Sequence, residues 1–124
     1  MILVDSSGWI EFFTNGPLAD RYARHLEKAA EVIVPTIVLF EVYKKIKRER
    51  NEETALAAVA TMQNTHVLPL TEELSLLAAD ASLQHGLAMA DAIVYASAVQ
   101  ENAQLITSDS DLKDLPKVVY YPKS

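Results

Sequence analysis

Hydrophobic residues in this chain form short continuous runs, separated by longer stretches in which apolar side chains recur every three or four positions. The short runs predict five strands, at residues 1–4, 32–34, 66–68, 105–107 and 117–121. Continuous apolar runs are typical of strands buried on both faces, and strands that alternate with helices favour a parallel sheet. The pattern therefore predicts a three-layer α/β/α fold around a central parallel sheet of about five strands.

Residues that favour helix ends mark where the intervening helices begin and stop. Pro17 is predicted to begin one helix, and Thr36 is predicted to be the N-cap of the next. Thr71 is placed to cap another helix, which Gly86 is placed to end. After a brief aromatic helix that ends near residues 15–16, the pattern predicts helices over about residues 17–29, 37–50, 52–64, 72–85 and 87–99.

Length and composition fit a single domain that spans residues 1–124, since 50% of the residues are hydrophobic and no linker or repeat interrupts them. The chain has neither a ~20-residue apolar run nor the basic and apolar regions of a secretory signal, so we expect a cytoplasmic protein with no membrane partner. The absence of cysteine excludes disulfides and thiolate metal sites. The net charge of −6 argues mildly against a dedicated nucleic-acid binder.

Asp91 is the only formally charged residue between positions 81 and 100. It lies in a segment that is apolar on every face of the predicted helix, and such helices are normally buried. A buried carboxylate is costly unless it is paired or bound to a metal, and the neighbouring sequence offers no cation. The residue is therefore the first indication of a functional site.

Three further acids share this apolar context. Asp5 follows the first predicted strand, Asp109 follows the fourth, and Glu41 lies early in the helix that follows the second. Since the carboxyl ends of parallel strands line the crevice where ligands bind, we expect the four acids to converge there. Their mutual repulsion would be relieved by a hard divalent cation such as Mg²⁺ or Mn²⁺. The three histidines have no ligand spacing, which argues against zinc.

Each acid also has an ordinary structural interpretation. Asp5 could simply cap a helix, and Glu41 could pair with Lys45 one helical turn away. Asp109 and Asp111 could be turn residues. Only Asp91 lacks such an alternative, so the prediction of a site depends on the joint pattern.

Four segments of the chain, taken in this order, resemble the PIN domain, and specifically its short VapC-type toxin branch. They are Val4-Asp5-Ser6-Ser7, Pro35-Thr36 with Glu41-Val42, Gly86-Leu87-Ala88-Met89-Ala90-Asp91-Ala92-Ile93, and Leu105-Ile106-Thr107-Ser108-Asp109-Ser110-Asp111-Leu112. Leu112 stands where the family more usually has an aromatic residue, which bears on packing rather than on chemistry. The resemblance covers nearly the whole chain and leaves none of the family's catalytic acids missing.

The resemblance implies a metal-dependent endoribonuclease, a hydrolase that uses Mg²⁺ or Mn²⁺ and acts as the toxin of a type II toxin–antitoxin pair. It also implies a VapB-like antitoxin partner and a homodimer. The matching catalytic and metal-binding acids are Asp5, Glu41, Asp91 and Asp109. Supporting roles around them fall to Ser6, Thr107 and Asp111.

A basic segment follows Glu41, formed by Lys44, Lys45, Lys47, Arg48 and Arg50. It could track an RNA backbone, or it could simply be a solvated helix face. The early aromatic residues could likewise contact a partner or lie in the core; they are Trp9, Phe12, Phe13 and Tyr22.

Other functions remain open from the residues alone. A non-catalytic binding module would use the same acids as helix caps, and its stability would not depend on Mg²⁺. A phosphorylated receiver domain would need an aspartate after the third strand, where the chain has Pro69-Leu70-Thr71. A haloacid-dehalogenase-like phosphatase would need a second aspartate at Ser7.

Overall fold

The central sheet of the protein contains five strands, all parallel, in the order β3-β2-β1-β4-β5. This architecture is seen in a computed structural model that describes residues 1–123. The strands are β1 (Ile2–Val4), β2 (Val32–Pro35), β3 (His66–Leu68), β4 (Gln104–Thr107) and β5 (Val118–Tyr120). Each lies within about one residue of a predicted strand, so the parallel α/β prediction is confirmed.

Within the described residues, six α-helices connect the strands. They are α1 (Ser6–Phe13), α2 (Ala19–Leu26), α3 (Thr36–Glu49), α4 (Glu52–Met62), α5 (Glu72–His85) and α6 (Met89–Gln100). Single turns of 3₁₀ helix precede β2 and follow β4, at Ala29–Glu31 and Ser110–Leu112. None of the helices described within residues 1–123 combines the length and hydropathy needed to cross a membrane.

Four residues were singled out in the sequence as helix ends, and the structure confirms two of these predictions and shows that two are wrong. Thr71 caps α5 by accepting a hydrogen bond from the backbone N–H of Leu74 at 3.1 Å, and Gly86 ends that helix in the left-handed region, with φ of 67°. Helix α2 begins at Ala19 rather than at Pro17, because the Glu11 carboxylate accepts a hydrogen bond from the N–H of Leu18 and holds the intervening turn against α1.

Thr36 is the first residue of α3 and not its N-cap. The chain passes directly from the extended backbone of Pro35, the last residue of β2, into the helix. Pro35 therefore occupies the cap position, and no side chain caps the helix.

The core confirms one sequence interpretation and corrects another. Trp9 and Tyr22 are buried, while Phe12 and Phe13 pack against the core, so the early aromatic residues are structural. Helix α6 is buried through its middle from Ala92 to Ala98 but has exposed ends. Asp91, in its first turn, is therefore only partly buried rather than enclosed.

Candidate active site at the carboxyl ends of strands 1 and 4

The predicted acids meet at the carboxyl edge of the sheet, where β1 and β4 lie side by side. Val4 pairs with Ile106, and the backbone N–H of Asp5 continues the ladder to the carbonyl of Ile106. The strand order reverses between these two strands, because β2 and β3 lie on one side and β5 on the other. In open parallel sheets such a reversal leaves a crevice between the diverging connections, and this is the usual place for a ligand.

Asp5 is held more tightly than any other acid in the site. The residue is 4% exposed, and one carboxylate oxygen, Oδ2, accepts a hydrogen bond of 2.6 Å from the hydroxyl of Thr107. The other oxygen, Oδ1, accepts from the Ser7 hydroxyl at 2.6 Å and from the N–H of Gly8 at 3.3 Å. The last of these bonds caps α1, so Asp5 is a helix cap and a site carboxylate at once.

Asp91, Asp109 and Asp111 form the most compact group of carboxylates. One oxygen from each lies within 4.8 Å of the others. Asp91 comes from the first turn of α6, while Asp109 and Asp111 come from the 3₁₀ turn that follows β4. Asp109 caps that turn by accepting from the N–H of Asp111 at 2.9 Å, so its turn role and its place in the cluster coexist.

Glu41 approaches the same cluster from α3. Its pKa is raised by partial burial and further by the charges of Asp5 and Asp109, while hydrogen bonding from Ser6 opposes the rise. The alternative pairing with Lys45 does not form, since Lys45 lies 3.7 Å from Glu49 instead. Glu41 therefore belongs to the acidic cluster electrostatically.

Burial and mutual repulsion raise the proton affinity of the site. Burial raises the pKa of Asp5, although hydrogen bonds from Ser7, Thr107 and Gly8 oppose the rise. The pKa of Asp91 is raised to about 7, first by burial, then by a hydrogen bond shared with Asp109 and by the charges of neighbouring acids. Such a concentration of negative charge needs either protons or a cation to balance it.

The donor set fits a hard divalent cation. Carboxylate oxygens are the ligands that Mg²⁺ and Mn²⁺ prefer, and three of them already converge at Asp91, Asp109 and Asp111. Among the described residues, no other set of three or more histidine, aspartate or glutamate side chains converges as closely. The cluster contains no histidine.

The basic segment of α3 lies on an exposed and largely paired surface. Lys45 and Arg48 lie within 3.7 Å and 3.5 Å of Glu49, and Lys47 lies 3.3 Å from Glu52. The ammonium of Lys44 stands over the exposed ring of Phe40, 5.6 Å from its centroid. These contacts indicate that much of the basic segment is a solvated helix face.

Supporting roles were predicted for Ser6 and Thr107, whereas the structure also brings Ser7, Ser108 and Tyr22 to this edge of the sheet. The backbone N–H of Ser108 donates to the Ser7 hydroxyl at 3.0 Å, and the Tyr22 and Ser108 hydroxyls are 2.6 Å apart. In the sequence, the only indication for the two serines was that they stand beside predicted site residues in the motifs. Tyr22 carried none, because it lies 86 positions from Ser108 and reads as an ordinary core residue.

Comparison with known proteins identifies the family. A family model described as the PIN domain matches residues 2–118. The chain therefore belongs to the PIN-domain family. Comparison with curated proteins gives no significant match.

Solved structures share the fold at low sequence identity. A toxin–antitoxin complex from Klebsiella pneumoniae matches with a TM-score of 0.85 and 19% identity, covering 98% of this chain and 99% of that one. VapC20 from Mycobacterium tuberculosis, described as a toxin that cleaves the sarcin–ricin loop, matches with a TM-score of 0.75 and 22% identity, covering 90% of this chain and 92% of that one. VapBC2 from Rickettsia felis, bound to a promoter DNA fragment, matches with a TM-score of 0.76 and 19% identity, covering 100% of both chains.

Proposed function

We propose that the protein is a metal-dependent endoribonuclease, the toxin of a toxin–antitoxin pair, that hydrolyses RNA phosphodiester bonds with Mg²⁺ or Mn²⁺. The observation that carries the proposal is the convergence of Asp5, Glu41, Asp91, Asp109 and Asp111 at the β1–β4 crevice. Membership of the PIN-domain family supports it.

In this proposal Asp91, Asp109 and Asp111 offer oxygens directly to the cation, and Asp5 and Glu41 complete its surroundings. A bound divalent cation supplies two things: it lowers the pKa of a water molecule, and it neutralises negative charge on the phosphate. The chain's own contribution is to hold the carboxylates still. Thr107 does this for Asp5, since its hydroxyl donates to the carboxylate and accepts from the N–H of Asp109.

RNA is the proposed substrate because a nuclease toxin of this architecture has a named precedent in VapC20. The exposed face of α3 that carries Lys44, Lys47 and Arg48 follows Glu41 along the same helix and is the proposed surface for the RNA backbone.

A VapB-like antitoxin is the proposed protein partner. Two of the similar structures are toxin–antitoxin assemblies, and both match essentially the full length of this chain. We also propose a homodimer, which large exposed apolar side chains on α5 and at the start of α6 support.

The test is cleavage of a mixed RNA pool by the purified protein and by Asp91→Asn, each with Mg²⁺, with Mn²⁺ and with EDTA. We expect the parent protein to cleave with metal and not with EDTA. Asp91→Asn should lose at least about 100-fold in rate, because it removes a charged oxygen ligand.

Asp80→Asn is the matched control, since Asp80 is an exposed acid on α5 outside the cluster. It should cleave like the parent protein. Cleavage that persists in EDTA, or that is equal in the Asp91 and Asp80 variants, would contradict the proposal. An RNA pool left intact by the parent protein with either metal would do the same and would favour a non-catalytic binding module.

A further inference from the structure

Tyr22 reaches the back of the candidate site from α2. Its ring is completely buried, and its hydroxyl shares a hydrogen bond of 2.6 Å with the hydroxyl of Ser108. The ring can come this close because Gly8 has no side chain. A Cβ at that position would lie 2.4 Å from Cε1 of Tyr22, which is not a possible contact.

Ser108 connects Tyr22 to Asp5 through a single intermediate. The backbone N–H of Ser108 donates to Oγ of Ser7, and that Oγ donates in turn to Oδ1 of Asp5. A serine hydroxyl has one proton to donate, so the bond from Ser108 leaves the Ser7 proton directed at the carboxylate.

The same segment also orients Asp109. Ser108 lies between Thr107, whose hydroxyl donates to Oδ2 of Asp5, and Asp109, whose N–H donates to Thr107. Any displacement of Ser108 would therefore move the hydrogen bonds of both Asp5 oxygens and the backbone of Asp109 together.

Packing alone does not account for the Tyr22 hydroxyl. The ring makes its contacts with Gly8 and with Tyr121 through carbon atoms, and a phenylalanine would keep them. A buried tyrosine hydroxyl usually finds a hydrogen-bond partner. Here the partner is the residue that precedes Asp109.

We propose that Tyr22 is a positioning residue for the metal site, and that through Ser108 and Ser7 it holds the carboxylates of Asp5 and Asp109 in the orientation that binds a divalent cation. This inference rests on the proposed function only in taking the cluster as a metal site. It does not depend on which substrate is cleaved.

The test is the affinity of the folded protein for Mn²⁺, measured by titration calorimetry for the parent protein, Tyr22→Phe and Ser108→Ala. Each variant removes one hydroxyl of the same pair and leaves the backbone N–H of Ser108 in place. We expect each to weaken Mn²⁺ binding by up to about 10-fold, the lower end of the effect of removing a direct partner of a metal ligand, because both hydroxyls act on the carboxylates through other residues. The double variant should be no weaker than either single variant, since both break one link.

Tyr121→Phe is the matched control. It also removes a tyrosine hydroxyl with a hydrogen-bond partner, His25 at 2.8 Å, and its ring packs edge-on against Tyr22. We expect its Mn²⁺ affinity to equal that of the parent protein. Thermal melting in EDTA should show that all the variants are folded at the titration temperature.

The same samples separate this inference from the proposed function. Unchanged Mn²⁺ affinity in Tyr22→Phe and Ser108→Ala would overturn the positioning role, and so would an equal loss in Tyr121→Phe. A parent protein that binds Mn²⁺ but leaves RNA intact would overturn the nuclease proposal, and the variants' affinities would still decide the role of Tyr22. A parent protein that binds no Mn²⁺ would overturn both.

Discussion

Asp91 opposes the stability of the fold that positions it. It is partly buried, it is repelled by Asp109, Asp111 and Asp5, and it makes no salt bridge within residues 1–123. A carboxylate that destabilises the fold persists where a ligand needs its charge, since the protein would be more stable with an uncharged side chain at that position. The acid is therefore better explained by binding than by folding.

This repulsion predicts that the fold of the metal-free protein becomes more stable as the pH falls. The folded-state pKa of Asp91 is about 7 and the ordinary value is 3.8, so the folded state binds this proton more readily than the unfolded state does. The resulting stabilisation is complete below about pH 4 and is lost as the pH rises through 7. We expect the melting temperature in EDTA to rise as the pH falls from 8 to 6.

Asp91→Asn should remove most of this dependence of the melting temperature on pH, and it should raise the free energy of unfolding at pH 8 by about 1 kcal/mol. The gain is kept small because the side chain is partly exposed and solvent screens its charge. Asp80→Asn should leave both properties unchanged. A melting temperature that depends on pH as steeply in Asp91→Asn as in the parent protein would show that Asp91 is not the source of the dependence.

Single residues show how far the sequence alone could locate the site. The convergence of Asp5, Glu41, Asp91 and Asp109 could be predicted from two signals. Glu41 and Asp91 interrupt apolar helices, where a charge needs a reason, while Asp5 and Asp109 follow apolar strands. The position of Asp111 beside Asp91 could not be predicted, because it depends on how the 3₁₀ turn after β4 folds back.

Helix α3 carries two surfaces with different surroundings. The charge of Glu41 interacts with Asp5 and Asp109 of the acidic cluster, while Lys44 and Lys47 are exposed. The element could be predicted from its apolar spacing, but its first residue could not, since Pro35 serves both as the end of β2 and as the cap position. Helix α5 was predicted more closely because Thr71 and Gly86 are local signals that need no tertiary information.

Reversing the charge of Lys44, Lys45 and Lys47 tests whether α3 binds RNA. We expect weaker binding to single-stranded RNA and a shallower dependence of log affinity on log salt, by about 0.7 for each phosphate that the variant no longer neutralises. Filter binding over a series of salt concentrations measures both. Both variants are measured in the Asp91→Asn background, in which we expect no cleavage of the RNA during the measurement.

The control reverses three cations at the amino edge of the sheet, away from the site. They are Arg24 and Lys28, which lie near Met1, and Lys117, which precedes β5. This variant should keep the parent salt dependence. An equal slope in the α3 variant would mean that its lysines only solvate the helix and pair with Glu49 and Glu52.

The whole molecule explains why acids so far apart in sequence converge. The order β3-β2-β1-β4-β5 places the reversal between β1 and β4, so the segments after both strands open into one crevice. The parallel character of the sheet could be predicted from the alternation of elements, but this order could not, because it depends on long-range pairing. It also places β3 at an edge, away from Asp5, which disagrees with a receiver domain.

Assembly is the second property of the whole molecule that can be measured. Leu76 and Leu83 lie two turns apart on α5 and are 70% and 87% exposed, which is unusual for large apolar side chains on one face. We expect light scattering to give twice the chain mass of 13.7 kDa, and Leu76→Glu with Leu83→Glu to give the monomer.

Leu56→Glu is the control for assembly, since Leu56 is exposed on α4 and should not affect the dimer. A parent protein that has the mass of one chain at micromolar concentration would contradict the prediction. So would dissociation caused equally by the α4 and α5 variants.

The most direct test of the account is where Mn²⁺ binds, measured as anomalous scattering from a crystal soaked in the metal. We predict a peak coordinated by carboxylate oxygens of Asp91, Asp109 and Asp111, in the crevice that Asp5 and Glu41 border. The peak should be absent from crystals of Asp91→Asn soaked in the same way. A peak elsewhere in the parent protein, or none at a concentration that supports RNA cleavage, would contradict the assignment of this cluster as the metal site.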